Sequence, residues 1–140
     1  MTIRISGMLA GLVLVVAGVA FAGGMKIEPG QWEFQMTTLN PLSPTPMTET
    51  TTDCIDTAEL IPSDLPAQSE NCTVSDVKTE SASMSWNISC TQDGGTMTGV
   101  FKLTSTGTSI TGTSVMVMTY DGQSFEIKSD WQGRRIGACK

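Results

Sequence analysis

The sequence predicts an all-β domain: an antiparallel meander of about seven or eight strands, strongly curled or closed into a barrel-like shape, with one short helix. Three observations carry this. From Ser81 to Gln132 apolar and polar residues alternate almost without interruption, placing Met84, Trp86, Ile88 and Cys90 on one face, then Met97, Phe101 and Leu103, then Ile110, Met116, Met118 and Tyr120, then Phe125, Ile127 and Trp131. Period two is the mark of strands with one buried face. Turn signals separate the runs at Asp93-Gly94-Gly95, Ser105-Thr106-Gly107 and Asp121-Gly122, and Asp-Gly is the pair that a type I′ hairpin turn requires. Finally, Gly99 and Gly112 sit at inward positions inside strands, where they mark bends or bulges of a sheet curling over its own core, or a close backbone approach to a ligand.

Upstream of the meander, Pro29-Gly30 forms a tight turn, and Trp32, Phe34 and Met36 alternate with Glu33, Gln35 and Thr37 in a first strand. Pro41, Pro44 and Pro46 stop it and stiffen a surface loop, because each removes a ladder donor. Met47 to Cys54 is threonine-rich with little to bury, so it reads as an exposed edge strand returning alongside the first. Asp56 followed by Glu59 has the pattern of a helix cap, limited to little more than a turn by Pro62 and Pro66. Ser63 to Asn71 is polar and without period, and Thr73 to Thr79 is a short strand whose Val74 and Val77 do not alternate.

The first 22 residues are expected to be a cleaved secretory leader. Arg4 precedes an uncharged apolar run from Met8 to Val19, and Ala20-Phe21-Ala22 has the small-x-small cleavage pattern. The rival, an uncleaved anchor, would end in glycines with no flanking positive charge to stop transfer. The mature domain is then Gly23 to Lys140. The whole chain has 14 acidic and 8 basic residues, no histidine and a formal charge of −6, and loss of Arg4 makes the mature part more acidic still. Such a balance argues against nucleic acid and against an anionic membrane surface.

In an exported chain the four cysteines, Cys54, Cys72, Cys90 and Cys139, read as two disulfides. The expected pairing is Cys54 with Cys72, flanking the least ordered stretch, and Cys90 with Cys139, tying the C-terminus onto the sheet. The absence of histidine and of any C-x-x-C pair leaves no metal or redox motif, so no metal and no cofactor are expected. Met84, Met97, Met116 and Met118 are soft ligands that would suit Cu(I), but they occupy the positions that alternation assigns to the core. Glu126 and Asp130 share one strand face, the solvent side, and no nucleophile elbow, phosphate loop or zinc-protease motif occurs; the expectation is a non-enzyme. Two glycosylation sequons, at Asn71 and Asn87, are read as chance.

Taken together, Pro29-Gly30-Gln31-Trp32, Cys54 before a capped segment, Cys72, Trp86 four residues before Cys90, Tyr120-Asp121-Gly122 and the terminal Arg135-Ile136-Gly137-Ala138-Cys139 resemble a family of small exported bacterial proteins known only as a domain of unknown function. The resemblance implies a bacterial, periplasmic or secreted, stand-alone domain with paired cysteines, and brings no catalytic residues. The expected function is a non-enzymatic binding module holding a small apolar ligand against Trp86, Met97, Gly99, Gly112, Met116 and Met118; the alternative is an envelope interaction or structural domain that uses an exposed edge strand to meet a partner protein. The oligomeric state is left open. Intact mass of the exported protein is expected to give an N-terminus at Gly23; recovery of Met1 to Ala22 still attached, in the membrane fraction, would contradict the leader.

Overall fold

The computed structural model describes residues 23–61 and 71–140. The expected leader and nearly all of Ser63 to Asn71 lie outside the described residues. Nine strands follow one another among the described residues: β1 (Met25–Lys26), β2 (Gly30–Leu39), β3 (Met47–Ile55), β4 (Glu59–Leu60), β5 (Cys72–Thr79), β6 (Ser83–Gln92), β7 (Gly95–Ser105), β8 (Ser109–Tyr120) and β9 (Gln123–Gly137). Seven form one antiparallel sheet in the order β3-β2-β9-β8-β7-β6-β5, while β1 and β4 pair separately.

The meander stands as expected, with hairpins at all three turn signals. At the last, Asp121 (φ 48°) and Gly122 (φ 76°) both take the left-handed conformation that a two-residue hairpin loop needs. The register puts side chains of one face in rows across the strands. Trp86, Phe101, Ser114, Ser129 and Thr38 make one row; Met84, Leu103, Gly112, Trp131 and Met36 make the next.

Closure is not found. The sheet is open, neither a barrel nor strongly curled, and its edges β3 and β5 do not pair with each other. The cover that closure would have supplied comes partly from the β1–β4 pair, whose Met25 and Leu60 join the buried cluster with Ile27, Trp32, Met84, Trp86, Ile88, Cys90, Phe101 and Ile110. Backbone bonds stitch this N-terminal segment across the hairpin ends, Lys26 N–H donating to the Ser81 carbonyl (3.0 Å) and Glu28 N–H to that of Gly107 (2.8 Å), and within the segment the Trp32 side chain donates through Nε1 to the Glu28 carbonyl (2.9 Å).

The expected helix after Cys54 is also absent: Glu59–Leu60 is strand β4, opposite Met25 and Lys26. The Glu59 carboxylate, instead of capping its own segment, accepts from the Gly24 N–H at 3.1 Å, and Ile27 N–H bonds the Ala58 carbonyl. Those two contacts, 35 and 31 residues apart in sequence, hold the segment extended where its local pattern favours a helical turn.

Both disulfides form, but with a different pairing from the expected one: Cys54 bonds Cys139 and Cys72 bonds Cys90. Two registers explain this. The β5–β6 hairpin sets Cys72 directly opposite Cys90. Strand β9 runs past the end of the alternating pattern to Gly137 and pairs along β2, so that Gln31 faces Cys54 on one side and Gly137 on the other, bringing the C-terminus within reach of β3.

Gly112 is required by close approach. A Cβ there would run into Leu103 Cδ2 and lie 2.6 Å from the Lys102 carbonyl oxygen. Gly112→Ala is therefore expected to destabilise the fold by about 1–3 kcal/mol, read as a lower urea midpoint. Non-reducing peptide mapping is expected to recover Cys72 linked to Cys90 and Cys54 linked to Cys139. Because the latter bridge spans a sequence separation of 85 residues, removing it as Cys54→Ala/Cys139→Ala is expected to cost about 4–5 kcal/mol of stability.

Candidate functional site

The residues singled out as ligand-facing are only partly brought together. Met97 lies opposite Met118 and Gly99 opposite Met116, so these four occupy two adjacent rows, extended on β9 by Phe125 and Ile127. The methionines and these two β9 side chains are half-buried. Trp86 falls in the row next to that of Gly99 and Met116 but is 4% exposed, its ring stacked on Phe101 with centroids 5.0 Å apart. Gly112 is removed from the methionine rows, between Leu103 and Trp131. The space over Gly99 is occupied by Ile88, Phe101 and Met116, which would lie 3.0–3.2 Å from an added Cβ.

Alternation missed a polar insertion in this face. Ser114 and Ser129 stand directly opposite one another, 2% and 4% exposed. Trp131 Nε1 donates to Ser114 Oγ (3.1 Å), and Thr38 and Ser129 share a hydroxyl bond of 3.1 Å. Every buried side-chain polar atom among the described residues has a partner. The serines therefore read as satisfied core polar groups.

On the outer face, Glu126 and Lys128 pair at 3.0 Å with both side chains exposed. Among the described residues no group of three histidine, cysteine, aspartate or glutamate side chains is placed to hold a metal ion.

The two edges of the sheet differ sharply. At β5 the pairing with β6 shifts between Ser75 and Lys78, and Asp76 takes a positive φ of 51°. Such a bulge, followed here by a lysine, blunts an edge. Strand β3 carries neither device. Its register with β2 runs unbroken over nine pairs from Gly30–Ile55 to Thr38–Met47, it contains no proline or lysine, and eight of its nine residues are exposed. In an antiparallel edge strand every second residue aims its N–H and C=O away from the sheet.

Side chains of β3 divide cleanly by face. Thr48, Thr50 and Thr52 lie on the outer face, whereas Met47, Glu49, Thr51 and Asp53 share the core face with Thr38, Met36, Phe34 and Trp32 of β2. The loop from β2 to β3 adds an apolar tip at one end of this edge. Leu42 is 77% and Met47 66% exposed, and Leu39 flanks a solvent-open depression of about 500 Å³ formed with Asn40, Pro41, Phe125, Glu126 and Lys128. At the other end a second open depression, about 620 Å³, is lined by Gln31, Thr52, Ile136, Gly137, Ala138 and Lys140.

No curated protein and no solved structure matches the chain. A family model described as a protein of unknown function (DUF3617) matches residues 27–139, a span that takes in the whole seven-stranded sheet and both disulfides. With most of its length matched in this way, the chain belongs to the DUF3617 family.

Proposed function

We propose that this domain is an exported, non-enzymatic interaction module whose β3 edge receives an additional strand from a partner polypeptide. The observation that carries this reading is the contrast between the edges: β5 is bulged, while β3 is long, regular and open along its outer side. Strand addition draws affinity from main-chain hydrogen bonds and specificity from alternate side chains. Each bond contributes roughly 0.5–1.5 kcal/mol net. The two disulfides fit an oxidising compartment, where such a partner would be an envelope or extracellular protein.

A second reading, an apolar ligand held on the core face, is favoured by the half-buried rows of Met97, Met116, Met118, Phe125 and Ile127. Methionine adapts to varied apolar shapes. Photocrosslinking in producing cells separates the two. A photoreactive residue at Thr50 of β3 is expected to give a discrete polypeptide adduct, and the same residue at exposed Thr113 on β8 none. No adduct at Thr50, with a small-molecule adduct at Met118, would overturn strand addition in favour of the ligand.

A further inference from the structure

We infer that the strand received at β3 is basic, with Lys or Arg at two positions four residues apart that meet Glu49 and Asp53. This rests on the strand-addition reading and goes beyond it by naming the partner's chemistry.

Both carboxylates lie on the core face of β3, separated by Thr51, and both are exposed. The two ion pairs among the described residues, Lys128–Glu126 and Arg134–Glu33, involve neither. At a strand rise of about 3.4 Å they stand about 13–14 Å apart along the edge. A charge pointing toward the core face of an edge strand deters pairing with apolar or like-charged strands. It also favours a strand that brings the opposite charge, so one device supplies both rejection and selection.

The sheet already contains this kind of pair. Glu33 on β2 stands directly opposite Arg134 on β9, and Arg134 Nη2 approaches Glu33 Oε1 to 2.7 Å. Opposed charges on neighbouring strands stabilise a ladder, and like charges destabilise it. A strand added at β3 would meet Glu49 and Asp53 in the same relation. Because both sit on one face at even spacing, the requirement is the same for a parallel or an antiparallel partner.

A second copy of this chain fits less well. Two β3 strands pairing antiparallel with their core faces on the same side leave every carboxylate uncompensated when Thr50 meets its own counterpart. A shift of two residues one way sets Glu49 against Asp53, and the other way sets Glu49 against Glu49. The chain's net charge of −6 adds repulsion between copies.

The test uses the disulfide-intact protein and three capped heptapeptides of alternating threonine and valine, with lysine, threonine or glutamate at the second and sixth positions. Binding is read from amide chemical shifts of Met47 to Ile55. At low salt the lysine peptide is expected to bind about tenfold or more tighter than the glutamate peptide. The gap is expected to narrow at high salt. Glu49→Lys/Asp53→Lys, which alters only exposed side chains, is expected to invert the order, and N-methylation of alternate peptide amides to abolish binding. Equal affinity for all three peptides at β3 would overturn the basic partner while strand addition stands. No binding of any peptide at β3 up to millimolar concentration would overturn both. Self-association through β3 that the lysine peptide fails to displace would make the second copy the occupant and overturn the inference.

Discussion

The pairing of β2 with β9 is the constraint on which the rest depends. Nine register pairs from Gln31–Gly137 to Leu39–Lys128 bring strands from opposite ends of the described chain side by side. Without that ladder the β2–β3 hairpin would be a two-stranded ribbon, a structure with marginal stability on its own. With it, Phe34 packs over Gly133, which has no side chain to hold it off, and Arg135 Nε reaches the Pro29 carbonyl at 2.7 Å. Cys139 is delivered to Cys54 by the same ladder. A contact so distant in sequence carries a large loop-closure cost before it contributes anything, so this pairing is expected to form after the local meander.

Most of the meander was legible because its strands alternate over most of their length, Ser114 and Ser129 apart, and each turn carries its own chemistry. Met84, Trp86, Ile88 and Cys90 are all buried, as period two requires. Where sequence reasoning failed, a distant contact overrode a local pattern. Asp56 and Glu59 look like a helix cap, yet Glu59 serves the Gly24 amide. The irregular spacing of Val74 and Val77 weakened the reading of β5, and the cause is the bulge at Asp76. A turn centred on Ser81 would already have aligned Cys72 with Cys90, so that disulfide had a signal. The Cys54–Cys139 bridge had none, because it depends on the β2–β9 pairing.

The candidate sites were legible to unequal degrees. Threonine richness marked Met47 to Cys54 as an edge, but the absence of any bulge there, and its presence on the opposite edge, belongs to three-dimensional register. The core-face methionines were assigned to the right face, whereas the rows they share with Phe125 and Ile127, and the serine pair between Phe101 and Thr38, emerge only from strand order. Glu49 and Asp53 drew no notice in sequence, where isolated acids in a polar stretch look like ordinary solvation.

The Cys54–Cys139 bond has a mechanical consequence. An edge strand is ordinarily the first element to peel from a sheet, since ladder bonds at its end break one after another when it is pulled sideways. Here a tug on β3 starting at Met47 would unzip toward Cys54 and meet a covalent stop. From that point the load passes directly to the chain beyond β9, bypassing β2. Both outermost strands are thus tethered, β5 to its hairpin neighbour β6 and β3 past its neighbour to the end of β9, so force applied at the β3 edge is shared with a strand from the far end of the chain.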